Sequence, residues 1–136
     1  MTFVDELDRA MAAAGHPRFT RLSGFVLRAL EHDALSLREL ADRLEMTSPG
    51  ALKIVDAMVE AGYLERRPSP GDRRVRAIAV TGRGRAALAA ARRFHADFEA
   101  QLAATLGHAA ARAARTTLAT IVARNSGNVP RIFRAP

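Results

Sequence analysis

Hydrophobic residues recur at helical spacing in the first third of the chain. A first helix, ending at Gly15 and Pro17, is predicted by the apolar series Phe3, Val4, Leu7, Ala10, Met11 and Ala14. A second helix is predicted to bury the series Leu22, Phe25, Val26, Ala29 and Leu30. A short third helix is predicted by the apolar residues Leu37, Leu40, Ala41 and Leu44. Ser36 and Glu39 have the spacing of a capping box, which fixes where this third helix begins.

A fourth helix follows after only a few polar residues. Ser48 is predicted to be its N-cap, with Pro49 at the first helical position, where the missing N–H costs nothing. Gly62 can adopt the left-handed conformation that ends a helix. The buried face of this helix is predicted to hold Ala51, Ile54, Val55 and Met58. Two helices joined this closely are typical of a helix-turn-helix.

The hydrophobic period then changes from that of a helix to that of a strand. Residues 63–67 are predicted to be extended, residues 68–71 form a turn rich in Pro and Gly, and residues 74–80 partly alternate. The pattern predicts a two-stranded hairpin with a basic tip. The alternation slips between Val75 and Ile78, which leaves the strand register open.

A long helix is predicted over residues 82–106, with Thr81 as its cap. Its apolar stripe consists of Ala87, Ala91, Phe94, Phe98, Leu102 and Leu106. A helix of about 25 residues is roughly 37 Å long. Because this length exceeds the core of so small a domain, we expect its far end to pack on another subunit. Gly107 ends it, and a last helix over residues 108–124 carries the stripe Ala114, Leu118, Ile121 and Val122.

Charge is distributed unevenly along the chain. Residues 1–65 carry eleven acidic side chains against six Arg and one Lys, whereas residues 66–136 carry fourteen Arg against three acidic side chains. The two net charges are therefore −4 and +11, which sum to the formal +7 of the whole chain. A genome that prefers Arg over Lys would explain the ratio of these two residues, but not the scarcity of acids in one half. The asymmetry favours a polyanionic partner, nucleic acid before membrane.

Composition excludes several classes of protein and site. The chain has no Cys, which excludes disulfides, thiolate zinc sites and a cysteine redox switch. No apolar run approaches the roughly 20 residues that a membrane span needs, and the acidic, amphipathic N-terminus is unlike a signal peptide. We therefore expect a cytoplasmic, nucleoid-associated protein without membrane contact.

The sequence contains no convincing catalytic or metal-ligating site. His95 and Glu99 share a helical face, as metal ligands can, but a surface pair is the preferred interpretation. No Ser/His/Asp arrangement, Gly-rich phosphate loop or carboxylate pair is evident. The sequence therefore predicts no enzyme, no cofactor and no metal.

The region from Phe19 to Thr81 resembles the MarR family of bacterial regulators. Leu37-Arg38-Glu39-Leu40-Ala41 resembles the start of the first helix-turn-helix element of that family. The stretch from Val55 through Gly62-Tyr63-Leu64-Glu65 to Arg66 resembles the end of the recognition helix and the first wing strand. The most specific part is Gly71-Asp72-Arg73-Arg74 followed by Val80-Thr81, which resembles the wing signature.

The predicted recognition helix should enter the major groove by its first turn, where free amides and the helix dipole favour phosphate. Thr47 and Ser48 can donate to phosphates or accept from bases. Lys53 faces away from the buried stripe, so it can reach a phosphate or a guanine edge, the alternative being a solvated surface charge. Leu52 either contacts a thymine methyl group or tucks into the edge of the core. Gly50 stands where the family commonly has a polar side chain, which predicts sparse base contacts.

The predicted hairpin corresponds to the wing. The resemblance implies that Arg74 reaches into the minor groove, that Asp72 holds it by a salt bridge, and that Arg73 lies beside them at the tip. A narrow minor groove focuses negative potential and attracts Arg. The alternative is an ordinary solvated hairpin tip. Phosphate contacts, which add affinity without sequence specificity, are predicted for Arg66, Arg67 and Arg76.

Some members of the family bind small-molecule effectors between the DNA-binding lobe and the dimer lobe. The segment 15–19 has no match that we can identify in the family, and it is a candidate lining of such a pocket. The candidate effector residues are His16, Arg18, Arg21 and Phe25. The alternative for each is a plain packing or surface role.

These observations predict a mainly α fold with a small β-hairpin wing, a winged helix-turn-helix extended by dimerisation helices. One domain is expected over residues 1–136, in which residues 19–81 bind DNA, residues 1–14 and 82–124 dimerise, and residues 125–136 form a flexible tail. The predicted function is a sequence-specific, effector-responsive transcription regulator, a repressor, acting as a homodimer on a pseudo-palindromic operator in double-stranded DNA. The alternatives are a non-specific architectural nucleic-acid-binding protein and a protein-interaction module without DNA binding.

Overall fold

Six helices and three short strands follow one another along residues 2–124, the part of the chain that this computed structural model describes. In chain order they are α1 (Phe3–Ala13), α2 (Arg21–Ala29), β1 (Leu35–Ser36), α3 (Leu37–Arg43), α4 (Ser48–Glu60), β2 (Leu64–Pro68), β3 (Arg76–Val80), α5 (Gly82–Leu106) and α6 (His108–Arg124). The fold class is therefore the predicted one, mainly α with a small β wing. The predicted flexible tail, residues 125–136, and the side chain of Val122 lie outside what the structure describes.

Local side-chain bonds explain why the helices begin where they do. The predicted capping box at α3 is confirmed, because Ser36 Oγ accepts from the Glu39 amide while Glu39 Oε2 accepts from the Ser36 amide at 2.8 Å. Two further capping boxes, which were not predicted, start α1 at Thr2 and α2 at Thr20. The predicted cap Thr81 is confirmed at α5.

One predicted cap is displaced by one residue, and one residue of the predicted α2 stripe is wrong, whereas Val26 and Leu30 of that stripe are buried as predicted. The N-cap of α4 is Thr47, whose Oγ1 accepts from the Gly50 amide at 3.3 Å, so Ser48 is the first helical residue. In α2 the buried face is made by Ser23, Val26, Leu27 and Leu30, whereas Leu22 is 46 % exposed. The capping bond of Ser23 to Thr20 turns this polar residue inward, and the i, i+3, i+4 spacing then follows from it.

The sheet has three antiparallel strands in the order β1-β3-β2, and β1 is a strand that the sequence did not predict. Its two residues pair with Ile78 and Ala77, while β2 pairs with β3 from Leu64 opposite Val80 to Pro68 opposite Arg76. As the central strand, β3 packs against both α3 and α5. Both of its faces are covered, so the consecutive residues 77–79 are all buried, and this removes the alternation that would have shown the register.

The first turn of α5 fits against the chain that leaves α4. A Cβ atom at Gly84 would lie 2.2 Å from the Tyr63 carbonyl oxygen and 2.8 Å from Val80 Cγ1, so only glycine fits. Thr81 contributes from the same turn, since its amide donates to the Tyr63 carbonyl at 3.1 Å and its hydroxyl donates to the Gly62 carbonyl at 2.6 Å. This junction joins the helix-turn-helix, the sheet and α5.

The second half of α5 leaves the core. Ala87 and Ala91 are buried, Phe94 and Phe98 are half-buried, but the last stripe residues Leu102 and Leu106 are 38 % and 56 % exposed. On α6, Leu118 and Ile121 are 63 % and 50 % exposed. The α5–α6 pair therefore presents an apolar face that the described chain does not cover.

Two glycines in the first turn of α5 form a matched test of the junction. Gly84→Ala should lower the free energy of unfolding by about 2–3 kcal/mol, because the added methyl group meets a backbone oxygen that cannot move aside. Gly82→Ala should be neutral or slightly stabilising, since its Cβ would lie no closer than 4.0 Å to a flexible Arg85 side chain and Ala favours helix. Urea unfolding of both variants measures this, and equal effects would show that the close approach is not limiting.

Candidate nucleic-acid interface

The turn between α3 and α4 determines how α4 is presented. After the α3 C-cap at Leu44, Glu45 adopts a left-handed conformation with φ of +53°. The amides of Glu45 and Met46 donate to the carbonyls of Asp42 and Ala41 at 3.2 and 3.0 Å. This is a Schellman motif, which satisfies the free carbonyls of α3 and turns the chain sharply. The chain can therefore start α4 only a few residues after α3 ends.

The first turn of α4 is exposed, as an element that enters a groove must be. Ser48 and Lys53 are exposed, and Leu52 is 41 % exposed on the surface rather than tucked into the core edge. Thr47 caps the helix as an acceptor, which leaves the proton of its hydroxyl for a further acceptor. A Cβ atom at Gly50 would lie 3.1 Å from Thr47 Oγ1, so a side chain here would crowd the cap.

The two acidic residues on the exposed face of α4 are both paired with arginines from neighbouring segments. Asp56 Oδ1 is in direct contact with Arg66 Nη2 of β2, and Glu60 Oε2 lies 3.3 Å from Arg18 Nη2 in the α1–α2 connection. Sequence analysis predicted a phosphate contact for Arg66 and an effector role for Arg18, but the structure places both against α4. The pairs neutralise the charges that would otherwise repel a phosphate backbone. Because the partners in each pair lie on different elements, the residue pattern of α4 could not reveal either pair.

The wing carries its arginines on an ordered turn. The Val75 amide donates to the Asp72 carbonyl at 3.0 Å, and the Arg74 amide donates to Asp72 Oδ1 at 2.9 Å. Asp72 thus stands at the first position of a β-turn and Arg73 and Arg74 at its two centres. The implied Asp72–Arg74 salt bridge is wrong for this structure. The Asp72 carboxylate accepts from the backbone amide of Arg74, and the ion pairs of residues 2–124 do not include the Arg74 guanidinium.

The remaining predicted phosphate contacts lie on the same hairpin. Arg67 and Arg76 are exposed on β2 and β3 close to the turn. With Arg73 and Arg74 they place four arginines around the tip. Asp72 is the only acidic residue between Arg67 and Arg76 in sequence, and its carboxylate is bonded to the backbone. The arrangement suits a narrow, negatively charged groove flanked by phosphates.

A cavity of about 510 Å³ lies between α1, α2 and α5. Two of the four candidate effector residues, Arg21 and Phe25, line it, whereas His16 and Arg18 do not. Most of the lining is apolar, and the cationic side chains that join it are Arg21, Arg28 and Arg92. Arg92 donates to both carboxylate oxygens of Glu31, at 2.7 and 2.8 Å, and its charge is therefore already balanced.

His16 is part of the core and does not line the cavity. Its ring is buried and packs 5.8 Å from the ring of Tyr63, centroid to centroid. Burial lowers the pKa of His16 below its usual 6.5, and the nearby positive charge of Arg83 lowers it further. The structure therefore favours the neutral imidazole.

His95 and Glu99, the pair weighed as metal ligands, are engaged separately. His95 stacks on Phe3 at 5.6 Å, and Glu99 accepts from Arg115 at 3.0 Å. Across residues 2–124 no cluster of three or more His, Asp or Glu could hold a metal ion. Within the same range, no helix has the length and apolar character to cross a membrane.

The preference for neutral His16 predicts a pH dependence of stability. The unfolded chain protonates His16 more readily than the folded chain does. The contribution of neutral His16 to the free energy of unfolding should therefore be fully present above pH 6.5 and should fall as the pH drops below it. For one proton the decrease is at most about 1.4 kcal/mol per pH unit. His16→Phe, which keeps the ring packing, should flatten this slope in urea unfolding between pH 7.5 and 5.5. An undiminished slope in His16→Phe would contradict the assignment.

A family model and several solved structures are similar to this chain. The MarR family model matches residues 19–75. The transcriptional repressor CouR, in a structure bound to a 23-mer DNA duplex, is 29 % identical, with a TM-score of 0.66 over 88 % of this chain and 83 % of that chain. None of the curated protein sequences matches the chain.

Two more distant structures show that the fold itself is shared. MepR from S. aureus, in a complex with DNA, is 18 % identical, with a TM-score of 0.70 over 88 % of this chain and 89 % of that one. YusO from Bacillus subtilis is 20 % identical, with a TM-score of 0.64 over 92 % of this chain and 87 % of that one. In all three comparisons the match extends beyond residues 19–75 to most of the chain.

Proposed function

We propose that the chain is a winged helix-turn-helix transcription regulator of the MarR family, whose model matches residues 19–75, and that it recognises a specific DNA sequence through α4 and the wing. The observation that carries the proposal is the wing turn, in which Asp72 holds the backbone so that Arg73 and Arg74 project from its two central positions. The exposed first turn of α4 belongs to the same DNA-binding unit. CouR, the relative with 29 % identity, is described as a repressor bound to duplex DNA, and on this likeness we propose repression.

In the proposed complex the first turn of α4 lies in the major groove. The hydroxyls of Thr47 and Ser48 donate to phosphates, and Lys53 reaches a phosphate or a guanine edge. Leu52, exposed on the same face, contacts a thymine methyl group. With Gly50 contributing no side chain, base recognition in the major groove rests on few contacts.

The wing supplies the second contact, in the minor groove. Arg74 inserts where the groove is narrow, while Arg67, Arg73 and Arg76 lie against the phosphates on either side. A turn that is already ordered loses little backbone entropy on binding. Arg66 acts differently from the others, because it neutralises Asp56 instead of contacting DNA. Binding of chromosomal DNA would place the protein in the cytoplasm with the nucleoid.

We further propose a homodimer, with residues 19–81 as the DNA-binding lobe and residues 1–14 and 82–124 as the dimerisation lobe. The support is the apolar face of α5 and α6 that ends in Leu102, Leu106, Leu118 and Ile121. A face of this kind is usual at an interface and rare on a monomer surface. Two-fold symmetry would then place two wings and two α4 helices on half-sites about one helical turn apart.

We also propose that a small-molecule effector binds in the cavity between α1, α2 and α5. Its apolar lining suits a hydrophobic molecule, and Arg21 and Arg28 suit an anionic group on it. Phe25 would contact the apolar part. We assign no effector role to His16 or Arg18, since neither lines the cavity.

DNA selected by the protein from a random pool provides the central test. The protein should bind the selected duplex at least about 1,000-fold more tightly than random duplex. Arg74→Ala should weaken binding about tenfold and reduce the slope of log affinity against log salt by about one, as loss of one cationic contact does. Competition binding at several salt concentrations measures both quantities, with the exposed Arg93→Ala on α5 as the charge-matched control.

The same measurement separates the alternatives. A ratio near unity between selected and random DNA would favour a non-specific architectural protein. Binding that survives unchanged in Arg74→Ala would exclude the wing contact, and absence of any DNA binding would leave a protein-interaction module.

The dimer is tested on α6. Leu118→Glu should raise the dimer dissociation constant at least about tenfold, because a carboxylate would be buried at the interface. Thr120→Glu, on the opposite side of the same helix, is the matched control and should leave the dimer intact. Sedimentation equilibrium should give twice the chain mass of 14.7 kDa for the unaltered protein, and a monomer at micromolar concentration would contradict the proposal.

A further inference from the structure

The start of α5 provides donors for three consecutive carbonyl groups at the end of α4. Arg83 Nε donates to the Ala61 carbonyl at 3.2 Å, Thr81 Oγ1 donates to the Gly62 carbonyl at 2.6 Å, and the Thr81 amide donates to the Tyr63 carbonyl at 3.1 Å. Ala61 is the C-cap of α4, so its carbonyl has no partner within the helix, and the carbonyls of Gly62 and Tyr63 follow directly after it. The end of the recognition helix is therefore attached to α5 at successive residues.

Arg83 also extends this attachment to a third helix. Its Nη2 donates to the Gly15 carbonyl at 2.9 Å, directly after the C-cap of α1. Its guanidinium also lies 5.4 Å from the centroid of the Tyr63 ring. Gly15 and Gly62 both have positive φ, +87° and +78°, and mark the ends of α1 and α4. One side chain on α5 thus bonds to the ends of both helices.

We propose that Arg83 is a positioning residue that fixes the recognition helix α4 relative to α1. The proposal rests on the proposed DNA function, because it states how α4 is held for binding. Arg83 acts at the C-terminal end of α4, about 20 Å along the helix from the turn that would enter the groove, so it contacts no DNA. Because Arg83 bonds to the ends of both helices, a movement of α1 relative to α5 would also move α4.

The chemistry of the site requires arginine. A guanidinium presents several N–H donors in a rigid plane, so that Nε and Nη2 can bond to two carbonyls while the plane packs on an aromatic ring. A lysine ammonium has the charge but lacks this fixed geometry. Within residues 2–124, one ion pair joins the α1–α2 connection to α4, that of Arg18 with Glu60, whose side chains are 53 % and 74 % exposed. Exposed pairs contribute little, so Arg83 is the stronger of these two polar attachments, beside the packing of the His16 ring on Tyr63.

The first arm of the test needs no DNA. Because the chain contains no Cys, Ala12→Cys and Ala57→Cys, both at exposed helical positions, place one spin label each on α1 and α4. Diluted with unlabelled protein, the pair should give a narrow distance distribution. Arg83→Gln should broaden or shift that distribution, Arg83→Lys should fall between the two, and Arg85→Gln should not alter it. Arg85 is the matched control, since it also donates to a backbone carbonyl, that of Val80, at 3.0 Å.

The second arm measures binding to the selected DNA. Arg83→Gln should weaken binding about three- to tenfold, the range expected for a residue that acts through position. The slope of log affinity against log salt should stay unchanged, whereas Arg74→Gln should lower it by about one. A merely destabilised variant would be recognised by its thermal unfolding, and Arg83→Lys, which keeps the charge, provides a second variant.

Three outcomes would overturn the proposal. They are an unaltered label distance in Arg83→Gln, an affinity equal to that of Arg85→Gln, and a salt slope reduced as for Arg74→Gln. If the unaltered protein bound no DNA at all, the proposed function would fail, while the label distances would still decide whether Arg83 joins α1 to α4.

Discussion

The close approach of α5 to the Tyr63 carbonyl is the constraint on which the rest of the structure depends. Because Gly84 has no side chain, the first turn of α5 can pack directly against the chain between α4 and β2, where a Cβ atom would not fit. Thr81 and Arg83 then bond to the carbonyls exposed there. The sheet alone determines neither the direction of α5 nor the orientation of α4, and this contact determines both.

Features that depend on neighbouring residues could be predicted from the sequence, and features that depend on distant ones could not. The capping box of Ser36 and Glu39, the cap at Thr81 and the helix end at Gly62 are local, and the structure has all three. The two-residue strand β1 was missed because it exists only through its pairing with β3. Leu22 fits the apolar pattern of α2, but the face of the helix that packs on the core is the one that holds Ser23, so Leu22 is exposed.

The candidate interface shows the same division. That the wing tip and the first turn of α4 are exposed could be predicted from their polar residues. The partners of individual charges could not, because Asp56 meets Arg66 and Glu60 meets Arg18 only after the chain has folded. Counting charges by halves of the chain predicts a polyanionic partner, but it cannot distinguish arginines that are unengaged at the surface from arginines that are paired with α4.

The ordered turn at the wing tip has a kinetic consequence. Asp72 already holds the backbone of Arg74, so the proposed DNA encounter would not wait for a loop to fold. Association would then be governed by diffusion and by the attraction between the arginine cluster and the phosphates, which ionic strength weakens. Differences in affinity among DNA sequences would appear mainly in the lifetime of the complex, since every sequence would be approached at nearly the same rate.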